Sequence, residues 1–128
     1  MEEGHRERLN ALSEKVIGCA YAVSNSLGSG FLEKVYENAL AHDLRKNGIE
    51  VEQQYSMRVS YDEIVVGEFN ADLLVEKELL IELKAAKALD QSHLAQGMNY
   101  LKASGLKLCL VLNFGKSRVE IKRLVNNF

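Results

Sequence analysis

The chain has 128 residues, 47% of them hydrophobic and 27% charged, which is enough to bury one core without disulfides or a structural metal, so we read a single domain over residues 1–128. Sixteen basic against 18 acidic residues leave a formal charge of −2, which argues against tight nonspecific DNA binding but allows a local basic strip or a cluster of carboxylates. The opening MEEGHRERLN mixes both charges without an apolar core, so it is neither signal nor transit peptide, and the longest apolar run, Leu108 to Leu112, is too short to cross a bilayer. The expectation is a cytoplasmic protein with no membrane partner. Cys19 and Cys109 lie in apolar segments without metal-ligand spacing and read as buried reduced thiols.

Leu9, Leu12, Val16, Ala20, Val23 and Leu27 recur at spacings of three and four, the pattern of an amphipathic helix. Gly28 and Gly30 stop it; Phe31, Val35, Ala39 and Leu40 begin a second helix that ends at Gly48. From Val51 the pattern becomes β-rich: YSMRVSYD, EIVVGEFNADLLVE and ELLIELKAAKAL, with DE and EKE as tight turns, predict a three-stranded meander. DQSHLAQGMNYLKASG returns to helical spacing through Leu94, Met98 and Leu101, with Asp90 or Ser92 as N-cap and Gly105 as stop. LKLCLVLNFG and RVEIKRLV read as two last strands joined around Gly115 and Lys116. The order ααβββαββ predicts an α/β or α+β fold with helices packed on a mixed sheet.

The second and third strands carry charge where core is expected. A turn centred on Lys77 sets Leu74 opposite Leu80 and Asp72 opposite Glu82, with Cβ atoms about 4.5–5.5 Å apart, and puts Lys84 on the same face. Ala71, Leu73, Val75, Ile81 and Leu83 then form the core face. A two-residue turn would shift the register and part the carboxylates. Two opposed like charges destabilise a sheet unless neutralised. A divalent cation does that: Mg²⁺ favours one or two carboxylates plus water and phosphate oxygens, and a nearby ammonium can orient an attacking water. The same three residues could equally be solvated side chains on an open sheet face.

Further blocks accompany that triplet. GFLEKVY, Gly30 to Tyr36, fits a Gly-x-x-Glu-x-x-Tyr signature, and FNADLLVEKELLIELKA followed by HLAQGMNYLKASG extends the match over Leu9 to Val125. The chain thereby resembles the bacterial GxxExxY family, similar in turn to a minimal member of the PD-(D/E)XK nuclease superfamily with its restriction-endonuclease-like αβββαβ core. The resemblance implies that Asp72 is the motif aspartate, Glu82 the second acid and Lys84 the motif lysine. Glu33 corresponds to a helix acid that joins the metal shell, and Gln96 and Tyr100 to a Gln-x-x-x-Tyr motif lining the active site and substrate path. Ala71 stands where the superfamily name has Pro.

What the resemblance implies is a Mg²⁺- or Mn²⁺-dependent nuclease hydrolysing DNA phosphodiesters. Asp72, Glu82, the Leu83 carbonyl and Glu33 would hold the metal, and Lys84 would position the water. The alternative is a nucleic-acid- or protein-binding assembly module that keeps the fold without the chemistry; an RNA substrate would differ only in the strand bound. Without a visible recognition module, sequence specificity is expected from a homodimer or a protein partner, or not at all. His93, three residues before Gln96, has no second His or Cys partner and reads as a surface or capping residue.

Overall fold

The computed structural model describes residues 2–128. Helices α1 (Glu3–Leu27) and α2 (Glu33–Lys46) precede the meander β1 (Val51–Tyr61), β2 (Ile64–Val75) and β3 (Leu79–Lys84); α3 (Gln91–Ser104), β4 (Leu108–Asn113) and β5 (Glu120–Val125) follow. The five strands form one sheet in the order β1-β2-β3-β4-β5. All neighbours are antiparallel except β3 and β4, which α3 connects as a parallel crossover. The result is the expected mixed sheet flanked by helices, an α+β fold of restriction-endonuclease-like type.

Both faces of the central strands are covered. Leu9, Val16, Ala20, Leu40 and Leu44 of α1 and α2 pack with Leu73, Val75, Ile81, Leu110 and Leu112 in one core cluster. Tyr100 and Leu101 of α3 close over Leu80, Cys109 and Val111 on the opposite face. That double cover explains why LCLVLN in β4 is apolar without alternation and buried throughout. Both cysteines are buried and unbridged, and burial pushes the Cys19 thiol up to about 11. Among the described residues no helix is long and apolar enough to cross a membrane.

Local chemistry sets the boundaries. Gly28 takes φ 69° and its N–H bonds Ser24 O, ending α1. Asp90 caps α3: its carboxylate accepts from the N–H groups of Ser92 at 2.9 Å and His93 at 3.2 Å, while His93 Nδ1 accepts from Asp90 N–H. His93 is thus a capping residue. Asp62 and Glu63, both at positive φ, make the two-residue turn between β1 and β2. Glu76 and Lys77 take φ 50° and 61°, and Val75 pairs with Leu79 around the EKE loop, so the turn has the length that sets the expected register. Glu78 ties this turn to α1 through His5 at 2.9 Å and Arg8 at 2.7 Å.

Two expectations need correction. β3 ends at Lys84 rather than running on through Leu89, because α3 must start its return at Gln91. Ala71 packs with Leu74 and Tyr100 on the α3 face, not with Leu73 and Val75. The alternation breaks at Asp72, where Gln54 takes φ 55° and both Gln54 and Asp72 are left out of the ladder between the pairs Gln53–Leu73 and Tyr55–Ala71, without a shift of register.

Candidate active site

The β2–β3 ladder is short. Pairing runs from Val75–Leu79 through Leu74–Leu80 to Leu73–Ile81 and stops, while Glu82, Leu83 and Lys84 continue to pair with Val111, Leu112 and Asn113 of β4. At the opening the acids replace the missing ladder bonds. Asp72 N–H donates to Glu82 Oε1 at 3.0 Å, and Leu83 N–H donates to Asp72 Oδ2 at 2.7 Å. Each carboxylate is therefore fixed through one oxygen by the backbone of the opposing strand. No buried side-chain N or O among the described residues lacks a partner, so the second Glu82 oxygen, which makes no such bond, still reaches solvent.

Negative charge is disfavoured here. Burial, then the neighbouring Asp72 charge, pushes Glu82 up to about 8, against the lowering effects of the Asp72 N–H and Lys84. Asp72 is raised by burial, opposed by hydrogen bonds from Leu83 N–H and Gln54. The negative charge of Glu33, in the first turn of α2, adds to the rise at both carboxyls. Glu33 is thus brought to the same side, yet it is exposed, and among the described residues no three acids, histidines or cysteines converge as a ready cation cage.

Lys84 leads away from the acids rather than pairing with them. Its Nζ donates to Gln96 Oε1 at 2.6 Å, and Gln96 Nε2 donates to Tyr100 Oη at 3.2 Å. Gln96 and Tyr100 lie one turn apart on α3, so their chain of bonds crosses from helix to strand. Burial and the Glu82 and Asp72 charges raise the Tyr100 hydroxyl, which places it within the field of the pair.

A sequence profile of the PD-(D/E)XK nuclease superfamily matches residues 10–124, nearly the whole chain. The chain belongs to the PD-(D/E)XK nuclease superfamily. Among solved structures it is similar to the crystal structure of SSO0001, with TM-score 0.58 and 18% identity over 97% of this chain and 63% of that one. It spans less than two thirds of that protein's length. It is also similar to an alkaline exonuclease (LHK-Exo) from Laribacter hongkongensis, with TM-score 0.51 and 12% identity over 84% of this chain and 76% of that one. At such identities the likeness shows the fold alone. No curated protein matches the sequence significantly.

Nucleases of this superfamily generally use divalent metal ions, and the donors present fit one. Two carboxylates at a strand opening, one of them with an oxygen free of protein bonds, are the hard-oxygen set that Mg²⁺ accepts alongside water and phosphate. A bound cation would also offset the burial and the Asp72 charge that together raise Glu82.

Several residues of this superfamily member escaped the sequence reading. Glu37, buried on α2, accepts from Gln54 Nε2 at 2.7 Å, from Gln53 Nε2 at 2.7 Å and from Lys34 Nζ at 3.0 Å, and Gln54 reaches on to Asp72 Oδ1 at 3.4 Å. The available signal was its position one helical turn after Glu33. The GFLEKVY signature divides its labour: Tyr36 is buried, donates to Gly28 O at 2.6 Å and stacks on Phe114 at 4.7 Å, so it locks the α1–α2 turn that presents Glu33.

The loop after Lys84 is latched by Asn113. Asn113 Oδ1 accepts from the N–H groups of Ala86 and Gly115, and its Nδ2 donates to Ala86 O and Glu120. Gly115 permits the approach, since a Cβ there would lie 2.2 Å from Ala86 O. We expect Asn113→Ala to cost about 2–4 kcal/mol, because it empties a buried side-chain position and leaves part-buried backbone groups of Ala86 and Gly115 without their partner. Urea unfolding checks this; a loss below about 0.5 kcal/mol would mean that the latch is not holding the loop.

Proposed function

We propose that the chain is a Mg²⁺- or Mn²⁺-dependent nuclease that hydrolyses DNA phosphodiester bonds, a member of the GxxExxY branch of its superfamily. The observation that carries this is the Asp72–Glu82 pair, clamped by backbone N–H groups where β2 and β3 part, with Lys84 two residues further along β3. Asp72, Glu82 and the Leu83 carbonyl would hold the metal, with Glu33 approaching from α2. When bound, the cation neutralises charge growing on the phosphate oxygens and acidifies a bound water.

The chain's own groups supply the rest. Asp72 and Glu82 are restrained by strand amides, so little reorganisation is needed as the substrate arrives. Lys84, anchored by one hydrogen bond to Gln96, keeps its remaining N–H donors for the attacking water and the phosphate. As the water oxygen joins phosphorus, the water gives up one proton, the bond to the leaving sugar oxygen breaks, and that oxygen takes up a proton in its place through solvent. Gln96 and Tyr100 hold the lysine and line the strand's path. Unbridged buried thiols suit a reducing cytoplasm, and a homodimer or protein partner would supply sequence specificity.

Metal binding is the direct test. Mg²⁺ or Mn²⁺ should raise Tm by mass action on the folded state, and Asp72→Asn should abolish the rise. An identical metal response in both chains would move the site elsewhere. A second reading, a binding module that retains the fold, draws on the high Glu82 value: near neutral pH a protonated Glu82 could sit beside Asp72 without a cation. That reading predicts strand binding indifferent to metal and no cleavage.

A further inference from the structure

We propose that Phe69 is a stacking platform for an unpaired base, and that the groove between β2 and α3 guides a single strand past it to the Asp72–Glu82 pair. This rests on the nuclease reading and specifies its substrate as unpaired nucleotides.

Phe69 lies three residues before Asp72 on β2 and remains 44% exposed although its neighbours on the same face, Met57 and Ala71, are buried. Its ring is supported rather than loose. Tyr100 lies beside it with ring centroids 5.8 Å apart, and the ring sits over Gly67, where a Cβ would come within 3.3 Å of it. Tyr100 in turn bonds Gln96, and Gln96 bonds Lys84, so the aromatic surface is joined through two hydrogen bonds to the lysine of the candidate site.

Two adjoining hollows share Phe69 and Asn99. One, of about 280 Å³, reaches Gln96 and Tyr100; the other, of about 370 Å³, reaches Val59 and Lys102. Neither is lined by an acidic side chain, although the chain as a whole carries a formal charge of −2. An anionic strand entering beside Lys102 therefore meets amides, an aromatic ring and then Lys84. A base inside a duplex has both faces covered by its neighbours, so away from a duplex end only an unpaired base can lay a face on Phe69; such stacking tolerates any base.

The test is binding of a short fluorescein-labelled oligothymidylate and of a blunt duplex of matched length, by anisotropy in Ca²⁺, with Tm confirming the fold of each variant. Phe69→Ala and Phe69→Leu should weaken oligothymidylate binding by about 5–150-fold, with Phe69→Trp retaining it and duplex binding unchanged. Lys102→Ala should reduce the slope of log affinity against log salt by about 0.7. Wild-type binding by Phe69→Leu would overturn the platform, since leucine keeps apolar area but has no flat ring. If wild type cleaves DNA while the Phe69 variants bind normally, only the platform falls; if wild type neither binds nor cleaves any strand, the nuclease reading falls with it.

Discussion

Lys84→Ala is expected to fold, to bind Mn²⁺ and to bind DNA, and to cleave it about 10²–10⁴-fold more slowly than the wild-type chain in single turnover. The structure separates this outcome from loss of a counter-charge. Among the described residues Lys84 forms no ion pair with Asp72 or Glu82, and its close partner is Gln96 Oε1 at 2.6 Å. Its removal costs the acids a modest Coulombic benefit rather than a hydrogen bond. Gln96→Ala should free the ammonium and slow cleavage less, and the double variant should lose less than the product of the two single effects, because both changes act in part through one group. Equal rates for wild type and Lys84→Ala would take the lysine out of the mechanism. A wild-type chain that cleaves no DNA or RNA would favour the binding module.

The part of the site legible in the sequence was the part fixed by local rules. A three-residue turn at Glu76 to Glu78 determines which residues face each other, so Asp72 and Glu82 could be brought together before any tertiary contact was known. The Asp90 cap and the one-turn spacing of Gln96 and Tyr100 are equally local. What stayed hidden depends on long-range packing. The break in the ladder at Gln54 and Asp72 puts Ala71 on the α3 face, and nothing in the β1 pattern signals a residue at positive φ there. Lys84 was expected beside the acids, but α3 offers it an amide, which only the placement of the crossover helix could reveal. Glu37 is buried because two β1 glutamines reach across to it, and Asn113 because the loop after Lys84 folds back on β4. Both depend on elements distant in sequence.

In EDTA, the stability of the wild-type chain should fall as pH rises from about 5 to about 9, and Glu82→Gln should flatten that fall. The sign follows from the raised carboxyl. Glu82 moves from its ordinary 4.5 up to about 8, so across that window the folded protein holds a proton that the unfolded chain has released. Each rise in pH therefore favours the unfolded state, with a total on the order of a few kcal/mol. Asp72, also raised by burial, acts in the same direction. Glu78 acts oppositely and lower: Arg8 and His5 hold its carboxyl down, so its contribution is lost as pH falls through the acidic range, outside this window. The three histidines are common to both chains and cancel in the comparison. Glutamine keeps an oxygen to accept the Asp72 N–H, so Glu82→Gln should be the more stable chain at about pH 9 without metal. Adding Mg²⁺ should reverse the ranking, because only the carboxylate gains from the cation that displaces its proton. Urea unfolding of the two chains at several pH values, with and without Mg²⁺, measures both effects. A stability difference between wild type and Glu82→Gln that does not change through this window in EDTA would show that Glu82 is already ionised in the folded chain, and the electrostatic case for a cation at the β2–β3 opening would fail.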